Sequence, residues 1–329
     1  MKFNEIGTKS AGKWPLWKKL TLVGIFLIIA IPLGVGLGVG LSRGKSNGSG
    51  QDSDDGDNSN GTIPDNPPNR TSLWQPEVGT TWQIILLKPI EINDRKSITP
   101  DVDVFDLDLY DNDASTFTTL RKLGKKVICY FSAGSWEDWR DDKDDFDEVD
   151  LGKELDGWPG ERWLNVSSSN VRDIMKKRIE MAAHKGCDAI DPDNVDGFQN
   201  DNGLKLTKDD TISFVKFLSD TAASFNMSTG LKNAGSVISN VMSNVHFSVN
   251  EQCVEYSECE TFAEFIDNGK PVFHIEYPKG APAHVSAKTV SEICSTKGKA
   301  EGTKGFSTVI KKMNLDSWVE YCGGKTYGA

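Results

Sequence analysis

Histidine is scarce in this chain, with four residues in 329. No two cysteines are spaced Cys-x-x-Cys, so the ligand pattern of structural zinc is missing and no metal site is expected. No glycine-rich phosphate loop follows the first β-rich run, which counts against an open dinucleotide-binding sheet; no cofactor is expected. Basic residues are outnumbered, 37 Lys and Arg against 48 Asp and Glu, for a net charge of −11. Phosphate binding needs a basic face, so nucleic acid is excluded as a partner. The acidity is concentrated in residues 72–329, where 29 basic and 42 acidic residues leave −13. Such a surface keeps a protein soluble and attracts cationic ligands. Nothing in the pattern calls for an obligate protein partner.

One long apolar run is present. Residues 20–41, LTLVGIFLIIAIPLGVGLGVGL, carry no charge. Twenty-odd residues suffice to cross a hydrocarbon layer of about 30 Å, whereas a cleaved signal peptide needs an apolar core of only about 7–15. Lys13, Lys18 and Lys19 precede the run closely, and only Arg43 and Lys45 follow it before an acidic stretch. The positive-inside rule then gives a cytoplasmic tail over 1–19, a membrane anchor over 20–41 and everything else outside. The expectation is a single-pass type II protein of the plasma membrane. Residues 42–71 contain SNGSGQDSDDGDNSNGTIPDNPPN, too polar to fold, and read as a tether. Glycosylation sequons at Asn47, Asn60, Asn69, Asn165 and Asn226 fit an exported chain. So do six cysteines, all beyond the linker. Cys253 and Cys259 are close enough to staple one loop, and Cys294 and Cys322 can tie the C-terminal region. Cys129 and Cys187 lie in apolar runs, as buried thiols or a third bridge.

From residue 72 onward, short β-rich runs alternate with stretches able to hold a helix. The strands expected are 82–87, 102–107, 126–132, 189–193, 227–231, 246–250, 272–276 and 305–310. Eight strands over about 250 residues predict a TIM (β/α)8 barrel for 72–329. One helix is expected over 171–185, capped by Asn170, with Val171, Ile174, Met175, Ile179 and Ala182 on one face and Gly186 at its end. A second is expected over 209–225.

In such a barrel chemistry sits at the C-terminal ends of the strands. The densest signal there is CDAIDPDNVD (187–196) on the fourth strand. Side chains alternate along a strand, so Asp191 and Asp193 face the same way, with Asn194 beyond. Three carboxylates at 191, 193 and 196 repel one another, and such crowding is how a pair of carboxyls is tuned apart for glycosidic cleavage. A calcium site or a capping turn is the structural alternative. Glu251 ends the sixth strand, just before the expected Cys253–Cys259 staple, and Glu276 ends the seventh as a rival acid, followed by Tyr277. Asp106 ends the second strand, Tyr130 and Ser132 the third, Lys232 and Asn233 the fifth. Trp136, Trp139, Trp158 and Trp163 cluster in what reads as a loop after the third strand, where aromatic faces stack on sugars when they are not loop core.

The segments VICYFSAGSWEDWR (127–140), LDGWPGERWLNV (155–166), CDAIDPDNVDGF (187–198), LKN (231–233), VNEQC (249–253) and FHIEY (273–277) resemble glycoside hydrolase family 114, the endo-α-1,4-polygalactosaminidases. The resemblance spans roughly 74–329. It implies a TIM barrel, retaining hydrolysis and a cationic, galactosamine-containing polysaccharide as substrate. By motif position it makes Asp193 the nucleophile, with Asp191 as the alternative on the same face, and Glu251 the general acid/base, with Glu276 as its rival. It leaves Asp106, Tyr130, Ser132, Trp136, Asp191, Asn194, Lys232, Asn233, Glu276 and Tyr277 as candidates for contact with the sugar.

Overall fold

The computed structural model describes residues 70–92 and 96–328. The expected tail, membrane anchor and nearly all of the linker lie outside the described residues. Among the described residues no helix is long and apolar enough to cross a membrane.

Eight strands pair in parallel and in chain order: β1 (Trp82–Ile85), β2 (Val104–Asp108), β3 (Lys126–Ser132), β7 (Ala189–Asp193), β8 (Ser228–Lys232), β9 (Phe247–Glu251), β10 (Val272–Glu276) and β11 (Ser307–Ile310). The bounds expected for β3, β7 and β10 hold to the residue. Strand β1 starts where expected and stops two residues early; β2, β8, β9 and β11 begin one or two residues late, and β2, β8 and β9 also run one residue further. Two antiparallel strands, β12 (Val319–Tyr321) and β13 (Thr326–Tyr327), extend the sheet beyond β11. The result is a curled, TIM-like α/β sheet. It departs from the expected closed barrel in one respect: among the described residues no backbone ladder joins β1 to β11. Side chains bridge that seam instead. Trp82 Nε1 donates to Ser307 O at 2.7 Å, Ser307 Oγ to Thr80 O at 2.7 Å and Tyr321 OH to Trp82 O at 2.9 Å.

Period-two alternation divides the strand residues between two cores. Phe105, Leu107, Val127, Cys129, Phe131 and Ile190 face outward against the helices. Trp82, Val104, Ile128, Ala189, Phe247, Val249, Phe273 and Ile275 face inward and fill the curl of the sheet. Helix α1 (Ala114–Lys122) leads into β3. Helix α2 (Ser169–Lys185) buries the expected stripe of Val171, Ile174, Met175, Ile179 and Ala182 and ends at Gly186, whose φ of 104° suits glycine. Its N-cap is Ser168 rather than Asn170. The Asn170 side chain accepts from Asp147 N and donates to Asp145 O, fastening a neighbouring loop. Helix α3 (Lys208–Ser224) starts on a capping box formed by Thr207 and Asp210.

The aromatic-rich loop expected after β3 is a small antiparallel sheet. Its strands β4 (Ser135–Glu137), β5 (Leu151–Leu155) and β6 (Trp158–Leu164) pair in the order β4-β6-β5. Asp156-Gly157 joins β5 to β6, with Gly157 at φ 88°, the residue pair that two-residue hairpin turns favour. Three disulfides complete the frame: Cys129–Cys187 ties β3 to the entry of β7, Cys253–Cys259 staples the chain after β9, and Cys294–Cys322 holds the C-terminal strands. Helix α4 (Ile238–Val241) precedes β9, α5 (Cys253–Tyr256) and α6 (Cys259–Asp267) follow it, and α7 (Ala287–Ile293) leads towards β11.

Candidate active site

Continuing the inward alternation one step beyond Ile128, Val249 and Ile275, and two steps beyond Ala189, places Tyr130, Glu251, Tyr277 and Asp193 at the C-terminal rim. Lys232 joins them from the end of β8. Its ammonium stands between the two acids, with Nζ 3.3 Å from Asp193 Oδ2 and 3.3 Å from Glu251 Oε2. The two carboxylate oxygens are therefore no more than twice that distance apart.

Each acid is clamped by neighbours on adjacent strands. Tyr130 OH donates to Asp193 Oδ2 at 2.8 Å, and Asn194 N donates to Asp193 Oδ1 at 2.7 Å. Asn233 Nδ2 donates to Glu251 Oε2 at 3.0 Å, and Tyr277 OH to Glu251 Oε1 at 2.5 Å. Asn233 Oδ1 accepts from Glu251 N at 2.9 Å, so one asparagine holds both the backbone and the carboxylate of that residue. The residue after each of the three central side chains takes a left-handed turn: Asn194 at φ 61°, Asn233 at φ 47° and Gln252 at φ 60°. Such a backbone costs roughly 1–3 kcal/mol per residue and persists where the surroundings enforce it, typically at functional sites. Asparagine tolerates that region, which accounts for two of the three. Gly134 serves the same rim: a Cβ there would lie 1.8 Å from the Asn194 carbonyl oxygen, and Ala133 N and Gly134 N both donate to Asp193 O.

Electrostatics follow from these contacts. Burial alone would push the Glu251 carboxyl up, but the Lys232 charge, with hydrogen bonds from Tyr277, Asn233 and Lys232, holds it below the usual range. Burial opposes the charge on Lys232, and Asp193 and Glu251 outweigh it, so the ammonium is held more firmly than usual. Burial first, then Asp193 or Glu251, pushes the Tyr130 and Tyr277 phenols up and keeps both as hydrogen-bond donors. Desolvation, then the charge of Asp193, pushes the half-buried Asp196 up to about 6.

The remaining expected residues lie off the rim or turn away from it. Asp106 and Asp191 lie inside the curl beneath Asp193, fully buried, and none of their four carboxyl oxygens has a donor from another group. Ser132 is buried beside Tyr130. Glu276 turns away from the rim: Oε1 accepts from Val254 N at 2.7 Å and sits 2.9 Å from His274 Nε2, where it anchors the turn that follows Glu251. Trp136 packs against the outer core and spends its indole N–H on Lys143 O. Cys253, Cys259 and His274 bring three potential ligand atoms within 4.8 Å, but the two sulfurs are bonded to each other.

Reading strands alone misses a carboxyl supplied by the added sheet. Glu161 on β6 accepts from Ser135 Oγ at 2.9 Å, and Ser135 accepts from Asn194 Nδ2 at 2.8 Å. Burial, with Glu137 and Asp193 nearby, raises it to about 7 against the pull of the Ser135 bond. The sequence signal was the alternation in Gly-Glu-Arg-Trp-Leu (160–164) after an Asp-Gly turn. Arg140 braces the same sheet, binding Asp108 at 2.7 Å and Glu137 at 2.9 Å and lying over the Tyr110 ring.

Two carboxyls across one rim, within reach of a single atom and framed by tyrosines, can act on opposite sides of a glycosidic bond. Retaining glycosidases hold such carboxyls about 5–5.5 Å apart and inverting ones about 6.5–9.5 Å. The upper bound here falls at the low edge of the inverting range.

A family model for Glycoside-hydrolase family GH114 matches residues 64–327. The Aspergillus fumigatus Ega3 structure, a complex with galactosamine, shares 55% identity and covers 78% of this chain and 100% of its own, with a TM-score of 0.71. The glycoside hydrolase domain of PelA from Pseudomonas aeruginosa shares 12% identity, covers 71% of this chain and 96% of its own, and superposes with a TM-score of 0.52, a likeness of fold alone. No curated protein matches the chain.

Proposed function

The chain belongs to glycoside hydrolase family GH114, and we propose that it is a retaining endo-hydrolase of α-1,4-linked galactosamine-containing polysaccharide. The observation that carries this reading is the shared placement of Asp193 and Glu251, each 3.3 Å from one lysine nitrogen at one rim. The galactosamine in the Ega3 complex and the −13 charge of residues 72–329 favour a polymer bearing protonated amines.

In the first step protonated Glu251 gives its proton to the leaving glycosidic oxygen while Asp193 attacks the anomeric carbon. The C–O bond to the leaving sugar breaks and an ester to Asp193 forms. In the second step Glu251, now ionised, takes a proton from water, whose oxygen displaces Asp193. Two displacements return the original anomeric configuration. Tyr130 and Asn194 orient the nucleophile, and Asn233 and Tyr277 orient the acid. The curled sheet is read as a (β/α)8 barrel closed at the β1–β11 seam by Trp82, Ser307 and Tyr321.

Asp193→Asn and Glu251→Gln, assayed separately for new reducing ends on galactosamine polymer, should each lose roughly 10²–10⁴ in rate, the span general acid–base groups contribute. Parent-level activity in both variants would overturn the assignment. Residues 20–41 are proposed as a type II plasma-membrane anchor that leaves the hydrolase outside, on the support of the uncharged run and its flanking lysines. Alkaline carbonate extraction of membranes expressing the full chain should leave it in the pellet; release into the supernatant would contradict the anchor.

A further inference from the structure

The proposed mechanism needs a proton on Glu251, yet the resting site works against one. Lys232 occupies the space between the two acids that the sugar ring has to enter, and it keeps Glu251 ionised. The lysine must therefore move, and the molecule holds a place for it. Asp191 on β7 is in register with Tyr130, and Asp106 on β2 with Ile128 one inward step lower; both point into the curl beneath Asp193 and are wholly inaccessible to solvent. Their four oxygens receive no hydrogen bond from any other group. Two adjacent buried carboxyls in that state are stabilised by sharing one proton between them. That arrangement also leaves enough acceptors for an ammonium with three N–H groups.

We propose that Asp106 and Asp191 form a second seat for the Lys232 ammonium and the store of the proton that arms Glu251. This rests on the hydrolase reading above. As the sugar enters, Lys232 Nζ gives one proton to Glu251 Oε2, and its freed lone pair takes the shared proton from the aspartate pair as the side chain swings down. One N–H and one carboxyl O–H break; one O–H and one N–H form. The pair passes from one negative charge to two, Glu251 from one to none, and Lys232 remains an ammonium, so the total charge is unchanged. Asp193 loses its cation at the same moment, freeing it as a nucleophile. The charged and titratable groups facing this exchange are Asp106 from β2, Tyr130 from β3, Asp191, Asp193 and Asp196 from β7 and its exit, Glu251 from β9 and Tyr277 beyond β10. Burial and the neighbouring aspartate hold Asp106 well above the ordinary carboxyl range, and burial holds Asp191 at about 7, consistent with a proton retained near neutrality.

The test compares two substrates in the intact chain: galactosamine polymer, whose leaving sugar needs a proton, and a galactosamine oligomer ending in a dinitrophenyl group, which leaves without one. Asp191→Asn and Asp106→Asn, made separately, should each lose on the order of 10²-fold on polymer, the lower bound for losing general-acid assistance. An asparagine still offers an oxygen to the ammonium and the remaining aspartate still supplies the charge, so the seat survives while the stored proton is lost, and both variants should stay close to wild type in the dinitrophenol burst. Equal loss on the two substrates, or no loss on polymer, overturns the proposal. Infrared difference spectra of wild type against each variant supply a readout independent of turnover. Wild type should show a buried carboxylic-acid carbonyl band that both variants lack, and its absence from wild type also overturns the proposal. A wild type that cleaves neither substrate but shows the band would instead sink the hydrolase reading, which keeps the two failures apart.

Discussion

Lys232 and Lys311 stand at the C-terminal ends of two strands of one sheet, both inside the protein, and their surroundings push them in opposite directions. Lys232 meets two carboxylates and holds its proton more firmly than a lysine in water. Lys311 donates only to Gln83 Oε1 at 3.1 Å and to the Asp316 carbonyl at 2.6 Å; burial, the main cause, lowers it to about 7. Burial penalises both ammoniums, so the difference lies in what each faces. The rim from β7 to β10 gathers charge around a working gap, whereas the seam between β11 and β1 uses its lysine to tie one strand end to another.

Lys232→Met should have the largest effect, because it leaves two half-buried carboxylates without their cation. The loss in stability from denaturant unfolding should reach at most about 3–5 kcal/mol, the cost of breaking a buried pair. The Glu251 carboxyl should rise once its main depressing charge is gone, moving the pH–rate profile to higher pH. An unchanged midpoint and profile would mean the rim cation is no more important than the one at the seam. Gly134→Ala comes next. Its Cβ would collide with the Asn194 backbone and displace Asp193 while leaving the seam untouched. Overpacking of this kind costs about 1–3 kcal/mol. A misplacement near 1 Å can cost around 10²-fold in rate, so activity should fall further than stability.

Lys311→Met should have the smallest effect near neutrality, and its signature is in the pH dependence. The unfolded chain keeps the lysine proton up to the ordinary 10.5, while the folded protein releases it at about 7. Unfolded protein therefore binds more protons between those values, and wild-type stability rises across that window as pH increases. The variant should flatten that rise in unfolding curves recorded across the same range. An unaltered slope would show that Lys311 is not deprotonated in the fold.

Much of this was legible in sequence. Period-two apolar runs place β3, β7 and β10 to the residue, and Gly186 marks the end of α2 because only a left-handed step fits there. Asp193, Glu251, Tyr130 and Asn233 do converge, because strand ends in a parallel sheet share one rim. Three things were hidden. The added sheet over 135–164 was masked by its tryptophans, which read as a ligand-binding loop although the Asp-Gly turn was in view. The position of Lys232 between the acids depends on the register of β8 against β7 and β9, which no local pattern encodes. Glu276 shared the strand-end signature of a catalytic acid, yet its side chain turns to His274 and the Val254 amide, a choice made by the disulfide-stapled turn beside it.

Proton NMR of the first sugar released from galactosamine polymer by the purified 72–329 chain would judge the Asp193–Glu251 pairing most directly. The double displacement proposed for Asp193 and Glu251 predicts the α-anomer at the new reducing end before mutarotation. The β-anomer would mean that water attacks directly across a wider gap, and that Asp193 never bonds to the sugar.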